Sequence, residues 1–208
     1  MKIGIFGGSF NPPHEIHKEI ATYLVNNNYL DKVIFVPTGN NYNKPHLVSE
    51  QDRYNMLKLM IDNISYLEVS NYEFGKLTHT YETLDYFKSI YKNDEIYFIC
   101  GSDNLKEIKT WKRYKYILTN YKLIVIKRND ESLSDILLEL KEYKDNIIVI
   151  SDIISNLSST IIRDAVKMNK FELLKSDVFY VVSQPVEINI KKDEYRSLVL
   201  EIASKISE

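Results

Sequence analysis

Ile3-Gly4-Ile5-Phe6 runs directly into Gly7-Gly8-Ser9-Phe10-Asn11-Pro12-Pro13-His14-Glu15-Ile16-His17. The first four residues read as a strand. A helical pattern opens near His14, with Ile16, Ile20, Tyr23 and Leu24 along one side. Between them lies a turn built for close approach. Gly7 and Gly8 let the backbone turn tightly and let amide groups near a ligand without Cβ obstruction. Ser9 adds a hydroxyl donor, and Pro12 and Pro13, which lack N–H groups, suit the edge of a helix start. His14 and His17, three apart, share one face of the first helical turn. Free N–H groups and the helix dipole attract phosphate there. The pattern is neither a Walker A loop nor the dinucleotide fingerprint GxGxxG, and its histidines are one residue too close for the zinc motif HExxH. A histidine set among phosphates is expected to favour its charged form.

Outward from this loop, short apolar runs alternate with longer helical patterns. Strands are expected at 32–37, 67–70, 95–100, 122–126 and 147–150. Helices are expected from 14 to 27, 50 to 62, 80 to 91, 103 to 108, around 112–119, 133 to 143 and 159 to 168. Such alternation is the mark of a parallel sheet covered on both faces, an α/β fold. Ligands of such folds bind beyond the carboxyl ends of the strands, so chemistry is expected after Phe6, Val36, Cys100 and Ile150. The alternation ends near residue 183. The chain then divides into a domain spanning 1–183 and a small C-terminal extension, 184–208, with a closing helix near 193–205.

Composition narrows the partners. With 44% apolar and 27% charged residues the chain is globular, and its net charge of −2 argues against nucleic acid or an anionic membrane as partner. The one cysteine excludes an internal disulfide framework and suits a reducing cytosol. The first apolar run breaks at Gly7, too soon for a signal peptide or a membrane span, so a cytoplasmic protein is expected. A homo-oligomer is left open.

A second phosphate signature stands at Ser158-Ser159-Thr160-Ile161-Ile162-Arg163, after the strand at 147–150. Either serine can cap the helix that follows, and Arg163 can offer a bidentate fork to phosphate oxygens. Alone, this is an ordinary cap; paired with the histidine loop it gains meaning. The two runs together resemble the signatures of the HxGH nucleotidylyltransferases, and specifically of the bacterial nicotinate-nucleotide adenylyltransferases. That resemblance implies a Rossmann-like parallel sheet with helices on both faces. It implies that Gly7, Gly8, Ser9, Phe10, His14 and His17 meet ATP, with Ser158, Ser159, Thr160 and Arg163 closing on the triphosphate. One departure is plain: the glycine usual between the two histidines is Ile16, whose branched side chain narrows the space beside the nucleotide.

The likeness continues along the chain. Lys44, in Asn43-Lys44-Pro45-His46, stands where the family carries a mobile cation, and Arg53-Tyr54-Asn55-Met56-Leu57 resembles the helix that follows. Thr80, opening Thr80-Tyr81-Glu82-Thr83-Leu84, falls where a threonine lies near the nicotinate carboxylate. Asp103 matches the family's Gly-x-Asp, and Trp111 the tryptophan that stacks on the pyridine ring. A tryptophan among Lys109, Lys112 and Arg113 is not expected to be fully buried, so an aromatic platform is sensible. The implied partners are ATP and nicotinate mononucleotide, with Mg²⁺ carried mainly on ATP oxygens, since no His, Cys, Asp and Glu set has metal-cage spacing. His14, His17, Lys44 and Arg163 are the candidate catalytic residues. Other acceptors (nicotinamide mononucleotide or phosphopantetheine), cytidylyl transfer, and a catalytically weak nucleotide sensor are the alternatives.

Overall fold

The computed structural model describes residues 1–41, 47–127 and 132–151. Lys44, Ser158, Ser159, Thr160 and Arg163 lie outside the described residues, as do the helix expected at 159–168 and the whole 184–208 extension. The strands are β1 (Lys2–Gly8), β2 (Lys32–Pro37), β3 (Leu67–Val69), β4 (Glu95–Gly101), β5 (Lys122–Ile126) and β6 (Ile147–Ile150). The helices are α1 (Glu15–Asn26), α2 (Glu50–Met60), α3 (Thr80–Ile90), α4 (Ser102–Glu107), α5 (Tyr114–Asn120) and α6 (Ser134–Glu139). All strand neighbours pair in parallel, in the order β3-β2-β1-β4-β5-β6.

Alternation along each strand sends side chains to two cores. Ile3 and Ile5 of β1, Phe98 and Cys100 of β4, and Leu123 and Val125 of β5 face one side, where Leu84 and Phe87 of α3 and Ile117 and Leu118 of α5 meet them. Phe6, Phe35, Ile99 and Ile124 face the other, beneath Ile20 and Leu24 of α1 and Leu57 and Met60 of α2. Each fully buried Ile, Leu or Phe contributes about 1.5–3 kcal/mol. Both faces are thus covered, as a parallel sheet requires.

The strand order reverses direction between β1 and β4. The connections leave toward opposite edges there, and a crevice opens at the carboxyl ends. Gly8 pairs with Pro37 and Gly101 with Ile126 in the register, so the ends of four strands reach the same level.

Helix ends around the crevice depart from the simple periodic reading. The segment after α4 tightens into a 3-10 turn, Ile108–Thr110, and α5 begins only at Tyr114. Trp111 is extended, and Arg113 sits in the left-handed region at φ 58°, ψ 34°. The rings of Tyr81 and Tyr116 lie 4.9 and 4.3 Å from its guanidinium carbon, an attraction that offsets the unfavourable backbone. The helix expected to run to 143 stops at Glu139, because Leu140 turns inward and is buried; a 3-10 segment, Lys141–Asn146, follows. None of the described helices is long and apolar enough to cross a membrane.

Candidate active site

A cleft of about 640 Å³ occupies the crevice at the reversal of strand order. Gly7, Gly8 and Ser9 line it from β1, with His14 and His17 beside them. From the far side come Thr80 and Trp111. Residues more than a hundred positions apart are therefore brought to one space.

The glycine turn is shaped by rings. A Cβ on Gly7 would meet the Phe98 ring at 3.1 Å, and one on Gly8 would meet the Phe10 ring at 3.1 Å. Phe10 takes φ 46° and folds back under the loop, only 3% exposed. It packs edge-on against Phe6, Phe35 and His17 at centroid distances of 5.7, 5.7 and 4.9 Å. Its ring is thus committed to the core, and what Phe10 has to offer a nucleotide is mainly backbone.

His14 is the extended residue just before α1, and it is buried. Its backbone N–H donates to His17 Nδ1 at 3.1 Å, and the two rings lie 3.8 Å apart, tilted by 37°. That bond needs a lone pair on Nδ1, so the ring proton of His17 sits on Nε2. With Nδ1 occupied by this bond, Nε2 is the ring nitrogen of His17 left to donate, beside the first turn of α1 and its dipole.

On the opposite wall, α3 begins with a reciprocal cap: Glu82 accepts from the His79 backbone N–H at 2.8 Å. That bond chiefly holds the Glu82 carboxyl below its usual range. Thr80, Thr83, His79 and Thr78 line the cleft from this turn. Trp111 is half-buried and lines the cleft, its ring nearly perpendicular to that of Phe98 at a centroid distance of 5.7 Å. Asp103 is exposed on the first turn of α4 and is not among the lining residues, whereas its neighbour Asn104 is. Ile16 lines the cleft beside His14 and His17 and packs partly into the core below α1.

Residues 5–165 match the Cytidylyltransferase-like family. A protein of Caldicellulosiruptor bescii named probable nicotinate-nucleotide adenylyltransferase is 38% identical over 199 residues, covering 92% of this chain and 97% of its own length. Its namesake from Fusobacterium nucleatum is 37% identical, with coverages of 93% and 98%. The chain belongs to the nicotinate-nucleotide adenylyltransferase family. The fold agrees: Plasmodium falciparum nicotinic acid mononucleotide adenylyltransferase complexed with NaAD superposes with a TM-score of 0.74. That superposition covers 98% of this chain and 95% of the other, at 22% identity.

Within this family frame, several cleft residues carry no recognisable motif in the sequence. Lys112 and Lys127 line the cleft and supply cations among the described residues. Glu73 also lines it, 6% exposed, with Thr83 Oγ1 donating to Oε1 at 2.6 Å and Oε2 buried without a hydrogen-bond partner among the described residues. Burial pushes its carboxyl up to about 7, against the Thr83 bond and the Arg53 charge. Cys100, at the end of β4, is buried and its thiol is pushed up to about 12, so it is no nucleophile.

Arg53, which the sequence shows only as part of a helix, is the largest fully buried side chain among the described residues. It is wholly buried, and all its partners are oxygens of loops around the cleft. A signal was present: Arg53 shares a helical face with Met56, Leu57 and Met60, all buried, and an arginine on an apolar face needs acceptors.

Proposed function

We propose that this chain transfers the adenylyl group of ATP to nicotinate mononucleotide, giving deamido-NAD and pyrophosphate, a step of NAD biosynthesis. The observation that carries this reading is a single cleft lined on one wall by the His14–His17 loop and on the other by Thr80 and Trp111, in a chain of this family.

The acceptor phosphate is already an anion near pH 7 and needs no general base. Catalysis is a matter of bringing two polyanions into line and stabilising charge on the departing pyrophosphate. In this reading the turn at Gly7, Gly8, Ser9 and Phe10 and the start of α1 cradle the triphosphate with their amides. His17 donates through Nε2 and His14 stands beside it. Lys44, Ser158, Ser159, Thr160 and Arg163 are assigned to the same phosphates from their segments. Trp111 offers its face to the pyridine ring, Thr80 and the start of α3 receive the carboxylate, and Asp103 meets the acceptor nucleotide at the rim. The α-phosphorus is attacked directly by the acceptor phosphate oxygen, and the bond to pyrophosphate breaks.

Mg²⁺ is read as part of the nucleotide substrate. It prefers six oxygen ligands. The described cleft offers imidazoles, hydroxyls, lysines and one buried carboxyl, that of Glu73, and no group of three His, Cys, Asp or Glu suited to a metal stands among the described residues. Such donors suit phosphate oxygens better than a hard cation.

Pyrophosphate release with ATP and Mg²⁺ over a panel of acceptors tests the reading. Nicotinate mononucleotide should be used faster than nicotinamide mononucleotide, and phosphopantetheine should give no signal. Equal or reversed preference between the pyridine nucleotides overturns the acceptor assignment, and silence with every acceptor overturns the reaction.

A further inference from the structure

Four hydrogen bonds leave the buried guanidinium of Arg53, and each ends on a different loop atom. Nη1 donates to the Ser9 carbonyl at 2.7 Å; Nη2 donates to the Thr38 carbonyl at 2.5 Å and to Asn40 Oδ1 at 2.7 Å; Nε donates to the Val48 carbonyl at 3.1 Å. Ser9 belongs to the nucleotide wall. Thr38 and Asn40 follow β2, and Val48 precedes α2. No carboxylate is among these bonds. Burial draws the guanidinium down to about 10, so it stays charged at neutral pH, and its charge is used on carbonyls rather than on an ion pair.

One turn earlier on the same helix, Glu50 does the complementary work. Its two oxygens accept from the Asn40 backbone N–H at 2.9 Å and from the Gly75 backbone N–H at 2.8 Å. Gly75, at φ 65°, belongs to the turn that leads through Thr78 into α3 and the acceptor wall. Asn40 is the shared node: its side chain accepts from Arg53 and donates to the Val48 carbonyl, while its backbone serves Glu50. The same junction is closed sterically. A Cβ on Gly39 would stand 2.3 Å from the Glu73 carbonyl oxygen and 2.5 Å from that of Lys76, so only glycine lets the β2 loop lie on the acceptor turn.

Resting on the adenylyl-transfer reading, we infer that the first turn of α2 is a positioning device: Arg53 and Glu50 hold the nucleotide wall and the acceptor wall at the separation that in-line transfer needs. Neither residue needs to touch substrate for this. Displacement at phosphorus is unforgiving of distance, and a misplacement of about 1 Å costs on the order of 100-fold. Loosening the junction therefore lowers turnover of the bound pair, while each half-site keeps its own ligand. A residue that serves only stability would not separate these two quantities.

The test compares the wild-type protein with R53K, which keeps the charge and loses the fork, E50A, and G39A. Turnover is measured by pyrophosphate release at saturating ATP and nicotinate mononucleotide. Separate affinities for Mg-ATP and for nicotinate mononucleotide come from calorimetry, and folding from thermal melting. Each variant is expected to lose 10- to 100-fold in kcat, with both affinities held within about threefold. In a further variant, R53A, added guanidinium at millimolar concentration is expected to restore part of the lost turnover. A folded R53K with wild-type kcat overturns the inference, as does a loss of kcat matched by an equal weakening of both affinities. Should R53K not fold, E50A decides, since Glu50 lies near the helix surface; unchanged kcat in E50A overturns the inference. A wild-type protein that releases no pyrophosphate overturns the functional reading and this inference with it. Active wild type with unaffected variants overturns only the positioning role.

Discussion

Around His17 the nucleotide wall is held by rings. Phe6, Phe10 and Phe35 pack on one another, and His17 stands edge-on to Phe6 and Phe10 at 5.8 and 4.9 Å. The acceptor wall from Glu73 to Thr83 is held otherwise, by hydrogen bonds through ionisable groups: Glu73 with Thr83, Glu82 with His79, Glu50 with Gly75. Apolar packing is insensitive to pH and gives one rigid arrangement. Carboxylate caps are directional and titrate. In the proposed reading the difference suits two ligands of different kinds: a triphosphate that needs a fixed cradle, and a ring and carboxylate that need directed donors.

The sharpest way to break this contrast is at His17, which is both a ring in the cluster and the proposed donor to the cleft. H17A and H17F should each lower kcat by at least ~100-fold, the scale of one lost charge-stabilising donor. H17F should melt closer to wild type than H17A, because it keeps the ring. An active H17F would show that packing, and not donation, is what the histidine supplies.

A smaller effect is expected across the cleft. W111A should weaken nicotinate mononucleotide by roughly tenfold, in line with ~1–3 kcal/mol for a base stacked on an aromatic ring. ATP affinity should stay nearly intact. Trp111 is half-buried, so truncation should cost less than the ~3–5 kcal/mol of a core aromatic. In the wild type its fluorescence should be quenched by the acceptor and far less by ATP. Fluorescence unmoved by saturating acceptor, with a large drop in Tm for W111A, would assign Trp111 to the core.

The last effect, on stability, concerns Glu73. Its carboxyl stands at about 7 in the folded chain against an ordinary 4.5. Between those values the unfolded chain releases a proton that the folded chain keeps, so stability falls as pH rises through that window. E73Q should remove this slope. At pH 8 it should raise stability by up to about 3 kcal/mol, and at pH 4 it should change nothing. Wild-type and E73Q curves that run parallel from pH 4 to 8 would mean that the buried carboxyl does not titrate with folding.

The sheet was legible because each strand is a run such as Lys32–Pro37 or Lys122–Ile126, apolar on both sides and bounded by turn residues; these two match the structure to the residue. The histidine loop was legible because its glycines, prolines and histidines are local and have local reasons. Arg53 was legible only in part: its apolar helix face asks for acceptors, but three of the four are backbone carbonyls, one of them 44 residues away, and a backbone carbonyl leaves no trace in a sequence. The break between Trp111 and Tyr114 was hidden for a similar reason: no glycine or proline marks it, and the rings stacked on Arg113 are Tyr116, just ahead in α5, and Tyr81, contributed from α3. Asp103 illustrates the reverse case, a motif match whose side chain is exposed beside the cleft lining rather than in it.

Cys100 gives the protein a property unrelated to its chemistry. It is the one thiol in the chain, it lies 3% exposed at the floor of the cleft, and it is protonated at every ordinary pH. A maleimide cannot reach or react with it while β4 stays paired and covered. Its labelling rate is therefore a clock for opening of the central strands, readable by mass without mutation or added dye. Slower labelling in the presence of a nucleotide would report how far that ligand tightens the sheet on which the whole cleft stands.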